Sequence, residues 1–248
     1  MDARYDSIGA GYVASRREDP GLMARIEQVL GSARTVVNVG AGAGSYEPPG
    51  RHVIAVEPSE VMAAQRPRSK APAIRAGAGC LPLRDGAVDA AMAVLTVHHW
   101  DADRERGVRE LRRVASGPIV IVTCDPRVSG EMWLMRDYLP EVAELDRQIF
   151  PTPEQLAEWL GGEVRIDIVP IPRDTPDWSL MSFWAHPERV LDVAARNATS
   201  GFARMSESVA ERVVADVERD LASGEWDRKY GELRTLSEFD AGMRLISV

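Results

Sequence analysis

The 248-residue sequence predicts an α/β protein with a doubly wound, mostly parallel sheet. Two observations lead to this prediction: the first half of the chain contains four short apolar runs, and helical patterns separate them. The runs are continuous rather than alternating, as strands are when helices cover both faces of a parallel sheet. The predicted strands span residues 35–39, 53–56, 88–95 and 118–124.

Helical patterns precede or separate these strands. Residues 20–30 and residues 101–114 each place their apolar side chains on one helical face. After the second strand, Ser59 can cap a helix that runs through Met62. The alternation of strand and helix over residues 20–125 is therefore the pattern of a doubly wound sheet.

The second half of the chain is richer in large apolar and aromatic side chains. Residues 127–162 are predicted to be helical, and residues 174–215 end in a long helical pattern. We find no repeat or linker, so residues 1–248 are interpreted as one domain. Its expected parts are an α/β core (1–126), helical cap insertions (127–162 and 171–236) and final strands (163–170 and 238–248).

Composition restricts the class of partner. A net charge of −8 with only two lysines argues against nucleic acid, since few cations can replace the phosphate counterions. Cys80 and Cys124 are interpreted as buried free thiols, and no Cys/His cluster predicts a metal site. The first residues do not resemble a secretory signal, and no apolar stretch approaches the ~20 residues that span a bilayer. We expect a cytoplasmic monomer or homodimer that binds no membrane.

A glycine-rich turn, GAGAG over residues 40–44, follows the first predicted strand. Glycines at this point allow a tight turn and let a ligand approach the main-chain N–H groups. Glu57 ends the second strand, where a carboxylate can accept both hydroxyl protons of a ribose. The two features together predict a ribose-containing ligand.

The residues after the turn argue against a dinucleotide. The spacing is GxGxG, whereas dinucleotide sites have GxGxxG. The segment SYEPPG over residues 45–50 prevents the long helix whose N-terminus would bind a pyrophosphate, and Glu47 would lie near the phosphates. Neither Tyr-x-x-x-Lys nor GxxxxGK[ST] occurs. A ligand with a ribose but no phosphate fits better, and S-adenosylmethionine is such a ligand.

With these motifs in view, the chain resembles the class I S-adenosylmethionine-dependent methyltransferases. It is similar to the methyltransferase type 11 group of bacterial small-molecule enzymes, a broad group that resembles the ubiquinone and trans-aconitate methyltransferases. The resemblance implies a seven-stranded Rossmann-like sheet, a core that binds S-adenosylmethionine, and S-adenosylhomocysteine as product. It rests on VVNVGAGAG (36–44), VIAVEPSEVM (53–62), LPLRDGAVDAAMAVLTVHHW (81–100), RELRRV (109–114) and PIVIVT (118–123), with further likeness over 5–20 and 226–246.

The resemblance also implies a set of cofactor contacts. The glycine turn lies beneath the cofactor, the carboxylate after the second strand holds the ribose, and the next two loops border the adenine. The loop after the third strand lines the sulfonium end, while a tyrosine and an arginine near the N-terminus reach the methionine tail. The implied residues are Tyr12, Arg16, Gly40, Ala41, Gly42, Gly44, Glu57, Pro58, Met62, Gly77, Ala78, Leu95 and His99.

Two positions depart from the family pattern. Asn38 stands where the family usually has an acid, and Gly77 stands where an acid often accepts from the adenine amino group. An amide keeps a hydrogen bond but not a charge, and a glycine keeps neither. We therefore expect weaker cofactor binding than is usual for the family.

Catalysis and the acceptor depend on less specific signals. A base is needed only when the acceptor must lose a proton, and His98, after the third strand, is the predicted general base. The predicted substrate residues are Trp133, Trp178, Phe183 and Trp184. The alternative interpretation of these aromatic side chains is that they pack in the core. As substrate residues, they favour a small apolar or aromatic acceptor, such as an indole-like natural product.

Three alternatives to methylation of such an acceptor remain open. Arg127, Arg136 and Arg173 would suit a small carboxylate acceptor. An RNA or protein acceptor is disfavoured by the acidic balance and by the absence of an NPPY-like sequence after residues 88–95. A non-catalytic cofactor-binding partner subunit is the third alternative, and Asn38 and Gly77 are the observations in its favour.

Overall fold

The computed structural model describes residues 17–248. Its strands form one seven-stranded sheet and one two-stranded ribbon. The strands are β1 Thr35–Val39, β2 His52–Val56, β3 Ala73–Ile74, β4 Ala90–Val94, β5 Ile119–Cys124, β6 Arg165–Ile168, β7 Ile171–Pro172, β8 Glu238–Phe239 and β9 Met243–Ser247. The large sheet has the order β3-β2-β1-β4-β5-β9-β6, and β7 pairs with β8.

Strands β1 to β5 pair in parallel, and β9 runs antiparallel to both of its neighbours. The strand order reverses between β1 and β4, which is where open α/β sheets bind ligands at the carboxyl ends of their strands. The predicted mostly parallel, seven-stranded sheet is confirmed.

The helices begin where the sequence supplies side-chain caps. Asp19 caps α1, Ser59 caps α2 as predicted, and Thr152 forms a capping box with Gln155 at α6. The α-helices are α1 Pro20–Leu30, α2 Glu60–Ala64, α3 Arg104–Val114, α4 Pro126–Ser129, α5 Pro140–Ile149, α6 Pro153–Leu160, α7 Val193–Asn197, α8 Ser200–Ala203, α9 Glu207–Ala222 and α10 Glu225–Tyr230. Shorter 3₁₀ segments include Val97–His99, Asp101–Asp103, Leu180–Ala185 and Pro187–Val190, and Leu134–Tyr138 is a π-helix.

Both faces of the large sheet are covered. Because successive strand residues point to opposite faces, Val36 packs in one apolar cluster and Val37 in the other. The first cluster contains residues of α1, α5 and α7 to α10, and the second contains residues of α3 and α6. Helices on both faces explain why the predicted strands are continuously apolar.

The C-terminal segment differs from the single strand predicted over residues 238–248. It forms two strands, because Gly242 turns the chain with a φ of +96°. A Cβ at Gly242 would lie 2.9 Å from the Ser129 backbone nitrogen, so this close approach requires glycine. As a result, β8 pairs with β7, while β9 enters the large sheet.

The long helical pattern predicted over residues 174–215 is divided into short helices before α9. Pro187 cannot donate a backbone hydrogen bond to a continuing helix. Asp192, Thr199 and Ser206 each cap a separate helix start. Cap residues spaced along an apolar pattern therefore divide it into several helices.

Two further findings concern composition. Cys124 is buried, as predicted, but Cys80 is exposed, because it lies in a surface loop after β3 rather than in the core. That half of the prediction is wrong. Within residues 17–248, no helix combines the length and the apolar character that crossing a membrane requires.

Candidate functional site

The candidate site lies at one edge of the large sheet. Parallel strands place their carboxyl ends at the same edge. The glycine turn follows β1, Glu57 follows β2, and the 3₁₀ segment Val97–His99 follows β4, which pairs directly with β1. Three loops that the sequence links to the cofactor are thus neighbours in space.

The glycine turn is packed against the ends of β2 and β4. The backbone N–H groups of Gly40 and Ala41 donate to the Val56 carbonyl oxygen at 2.8 and 3.0 Å. Gly40 has a φ of +69°, and a Cβ there would lie 2.0 Å from Thr96 Oγ1. Backbone conformation and space therefore both require glycine at this position.

Glu57 is the buried carboxylate of the site. Its Oε2 accepts from the Gly42 backbone N–H, and its Oε1 accepts from the Ser59 N–H, both at 2.8 Å. Burial raises the pKa of Glu57, against the opposing effect of these two N–H donors and of Arg66 and Arg75. A carboxylate oxygen has about two lone-pair sites, so each oxygen of Glu57 can accept one further hydrogen bond. The geometry fits the two hydroxyl groups of a ribose.

A buried ion pair beside the turn was not predicted from the sequence. Arg66 Nη2 lies 2.7 Å from Glu47 Oε1, and each side chain is 3% exposed. Asn38 Nδ2 donates to the same Glu47 oxygen at 3.3 Å. Glu47 thus brings a carboxylate to Asn38, the position where the resemblance leads one to expect an acid. No local pattern in the segment QRPRSK around Arg66 indicates this pairing.

The loop after the turn is tied to distant parts of the chain through Tyr46. Its backbone N–H donates to Glu18 at 2.8 Å, and its hydroxyl donates to Asp177 at 3.1 Å. The same hydroxyl accepts from the Asp19 N–H at 2.9 Å. Tyr46 has a φ of +60°, which is uncommon for a bulky residue and is maintained by these contacts.

Other residues that the resemblance assigns to the cofactor are distributed around the turn. Met62 is buried, and its Cε would lie 3.4 Å from a Cβ at Gly42. Ala78 is buried against α3, where its Cβ would meet one at Gly107, while Pro58 and Gly77 are half-buried. Tyr12 and Arg16 lie outside the described residues.

The loop after β4 carries the two histidines. Leu95 begins it with a φ of +51°, a strained conformation for a leucine. The buried His98 ring stacks on Phe150 with centroids 3.9 Å apart, and lies 3.8 Å from the His99 ring. His99 Nδ1 accepts from Arg204 Nη2 at 2.9 Å. Side chains from the residues just after α5 and just after α8 therefore approach this loop.

Asp146 is a second acidic residue on this side of the molecule. Burial raises its pKa to about 7, and the Arg204 guanidinium opposes the shift. Its backbone oxygen accepts from the Phe150 N–H at 2.9 Å, so Asp146 lies one helical turn before the ring that stacks on His98. The sequence did contain a signal, because Asp146 falls on the apolar face of α5 between Val142 and Ile149.

The predicted substrate aromatics are mostly core residues. Trp133, Phe183 and Trp184 are at most 2% exposed. Trp133 Nε1 donates to the Trp184 carbonyl oxygen at 2.9 Å, and its ring meets Trp226 edge to face at 5.4 Å. Trp178 differs, since it is half-buried with the Arg189 guanidinium 4.9 Å from its ring centroid. The core-packing alternative thus describes the surroundings of three of the four rings.

Residues 17–248 contain no group of three or more His, Cys, Asp or Glu side chains that could hold a metal ion.

Comparisons with known proteins agree with this geometry. A family model described as a methyltransferase domain matches residues 37–119. A presumed methyltransferase of an antibiotic biosynthesis pathway in Anabaena variabilis is 31% identical; the match covers 94% of this chain and 98% of that chain with a TM-score of 0.86. No curated protein sequence matches the chain.

More distant structures share the fold. A methyltransferase from Archaeoglobus fulgidus that depends on S-adenosylmethionine is 17% identical, with 92% and 90% of the two chains covered and a TM-score of 0.52. The [4+2]-cyclase SpnF is 18% identical, with 98% and 93% covered and a TM-score of 0.54. At such identities the likeness concerns the fold alone.

The sheet order, the glycine turn and the carboxylate after β2 are those of an α/β protein whose strand ends can accommodate a nucleoside cofactor. Together with the Anabaena relative and the family match, they establish that the chain belongs to the class I S-adenosylmethionine-dependent methyltransferases. Its cofactor is S-adenosylmethionine, which supplies an electrophilic methyl group, and the protein is an enzyme.

Proposed function

We propose that this enzyme methylates a small apolar or aromatic metabolite at the carboxyl edge of the sheet. The observation that carries the proposal is the stack of Phe150 on His98, which places the aromatic ring that directly follows α5 against the loop after β4. That loop is at the strand end where the reacting groups of a doubly wound enzyme meet.

Glu57 holds the ribose in this proposal. Its two oxygens retain acceptor capacity after bonding to the N–H groups of Gly42 and Ser59. The turn residues Gly40, Ala41, Gly42 and Gly44 lie beneath the cofactor, and Pro58, Met62, Gly77 and Ala78 border its adenine. Leu95 and His99 line its methionine end, which is also the end that the resemblance assigns to Tyr12 and Arg16, outside the described residues.

His98 acts as the general base when the acceptor carries a proton that must leave. Its burial and its stack on Phe150 orient the ring and exclude water from it. Much of the remaining rate enhancement comes from positioning, because methyl transfer is an in-line displacement between two held groups.

The charges nearby favour an uncharged acceptor over a small carboxylate. Arg127 pairs with Asp125 and Glu154, and Arg136 pairs with Asp137. Arg173 lies 3.6 Å from Asp174. An arginine already paired with a carboxylate offers little net attraction to a second one. The Anabaena relative, described as part of an antibiotic biosynthesis pathway, agrees with a natural-product acceptor.

The acceptor enters, we infer, between the sheet edge and the cap of residues 127–162 and 171–236. Trp178 is the predicted aromatic that is half-buried, so it is the ring best placed to contact an acceptor. Trp133, Phe183 and Trp184 belong to the buried cluster against which Trp178 packs.

Measurement of S-adenosylhomocysteine release tests the proposal. Indoles and phenols, small di- and tricarboxylates, and tRNA are supplied in parallel, with the Glu57→Ala protein as the control. We expect turnover with an aromatic compound and a product one methyl group heavier by mass spectrometry. Turnover with tRNA or with carboxylates alone would contradict the proposed acceptor class.

A further inference from the structure

The ion pair of Arg66 and Glu47 is buried, although most ion pairs in the described part of the chain are exposed. Each of its side chains is 3% exposed, whereas the Arg109–Glu105 pair on α3 is 64% and 52% exposed. Two charges are stable away from water only when they are paired closely and their remaining donors and acceptors are satisfied. The partners of these remaining groups therefore indicate what the pair does.

The other donors of Arg66 point to the glycine turn. Nη1 donates to the Gly42 carbonyl oxygen at 3.1 Å and more weakly to that of Ala41 at 3.4 Å. Nε donates to the Ala71 carbonyl oxygen at 2.9 Å, which fixes the guanidinium plane. Gly42 is held on its N–H side as well, by Glu57.

Glu47 connects the pair to the strand that precedes the turn. Its Oε1 accepts both from Arg66 and from Asn38 Nδ2, the side chain at the fourth position of β1. A Cβ at Gly44 would lie 3.3 Å from Glu47 Oε2 and from Arg66 Nη1. The side chains of Arg66 and Glu47 thus pack against the turn at Gly42 and at Gly44.

We propose that Arg66 and Glu47 are positioning residues. Arg66 holds the carbonyl oxygen of Gly42, and Glu47 holds the Arg66 guanidinium, so that the turn and Glu57 are presented to the cofactor. The inference rests on the proposed role of Glu57, since Gly42 is held by Arg66 at its carbonyl oxygen and by Glu57 at its N–H. Asn38 contributes an uncharged donor, so the local arrangement uses one carboxylate and one guanidinium.

A charge swap between neighbouring positions tests this role. Asn38→Asp adds a carboxylate beside Glu47, whose Oε1 lies 3.3 Å from Asn38 Nδ2, and Glu47→Gln removes the carboxylate that pairs with Arg66. The double variant Asn38→Asp/Glu47→Gln restores one carboxylate beside Arg66. Affinity for S-adenosylhomocysteine is measured by calorimetry, with thermal unfolding of every variant alongside. Glu105→Gln, which breaks an exposed Glu–Arg pair, is the matched control.

We expect each single variant to raise Kd at least tenfold, and the double variant to return within about threefold of the original protein. Arg66→Lys keeps the charge and the fold but not the forked contacts, so we expect it to raise Kd with little change in Tm. If Glu47→Gln and Arg66→Lys have Kd values within twofold of the original protein while Glu57→Ala abolishes binding, this inference is overturned and the proposed ribose contact is not. Unchanged binding in Glu57→Ala would instead overturn the proposed ribose contact on which it rests.

Discussion

The glycine turn and the helical cap differ in how far apart in the sequence their contacting residues lie. Gly42 and Glu57, which meet through a hydrogen bond, are 15 residues apart within one strand–loop–strand unit. Within the cap, Trp133 and Trp184 are 51 residues apart. Arg204 of the cap and His99, which it contacts in the loop after β4, are 105 residues apart. A short motif can specify the first kind of contact, whereas the second depends on how distant segments pack.

The largest effect we predict concerns the core of the cap. Trp184→Ala removes a fully buried ring and should lower the free energy of unfolding by about 3–5 kcal/mol. The affinity of the folded protein for S-adenosylhomocysteine should change little, because the Trp184 ring packs in the core, where it stacks on Phe239 with centroids 5.4 Å apart. Denaturant unfolding and calorimetry measure the two quantities.

Trp178→Ala is the matched control, since Trp178 is half-buried. It should cost less stability and alter acceptor preference more. A stable Trp184→Ala protein with an altered acceptor range would show that Trp184 belongs to the pocket.

The next prediction concerns the loop after β4. His98→Gln should lower kcat about 100-fold with an acceptor that must lose a proton, because general bases typically contribute at least that factor. Cofactor affinity should stay within a few-fold, and kcat should recover with an acceptor that loses no proton. Full turnover by His98→Gln on a protonated acceptor would remove this histidine from the mechanism.

A smaller effect should distinguish Asp146 from surface carboxylates. Burial raises its pKa to about 7 in the folded protein, above its ordinary value. Its contribution to stability is therefore present at low pH and lost as the pH rises from about 4 through 7. Asp146→Asn should match the original protein at pH 4 and exceed its stability by about 1–3 kcal/mol at pH 8.

Urea unfolding at several pH values measures this difference. Asp174→Asn, whose side chain is 81% exposed, should show no such trend. A stability difference for Asp146→Asn that does not change between pH 4 and pH 8 would contradict the account of this carboxyl group.

The sequence predicted the parallel strands, the Ser59 cap, and the positions of the glycine turn after β1 and of Glu57 after β2. Each of these depends on residues close together along the chain. It did not predict the Arg66–Glu47 pair or the Arg204–His99 contact, since neither arginine lies in a pattern that distinguishes it from a surface arginine. The aromatic residues of the cap were recognised as important. However, composition does not tell a ring that lines a pocket from one that fills a core.

Asp146 illustrates an intermediate case. Its position on the apolar face of α5 was readable from helical spacing, but its neighbours from other segments were not. The same holds for the C-terminal strand, which the sequence predicted over residues 238–248, whereas the turn at Gly242 depends on contacts with residues 125 and 129.

The most direct test of the account is calorimetric titration of S-adenosylhomocysteine into the original protein and into Glu57→Ala, with NADH as the control ligand. The account predicts saturable binding to the original protein, no heat with NADH, and a Kd raised about 100-fold or more in Glu57→Ala. Two hydrogen bonds to a carboxylate, each worth about 1.5–3 kcal/mol, are lost in that variant. Saturable binding of NADH, or S-adenosylhomocysteine affinity unchanged in Glu57→Ala, would contradict it.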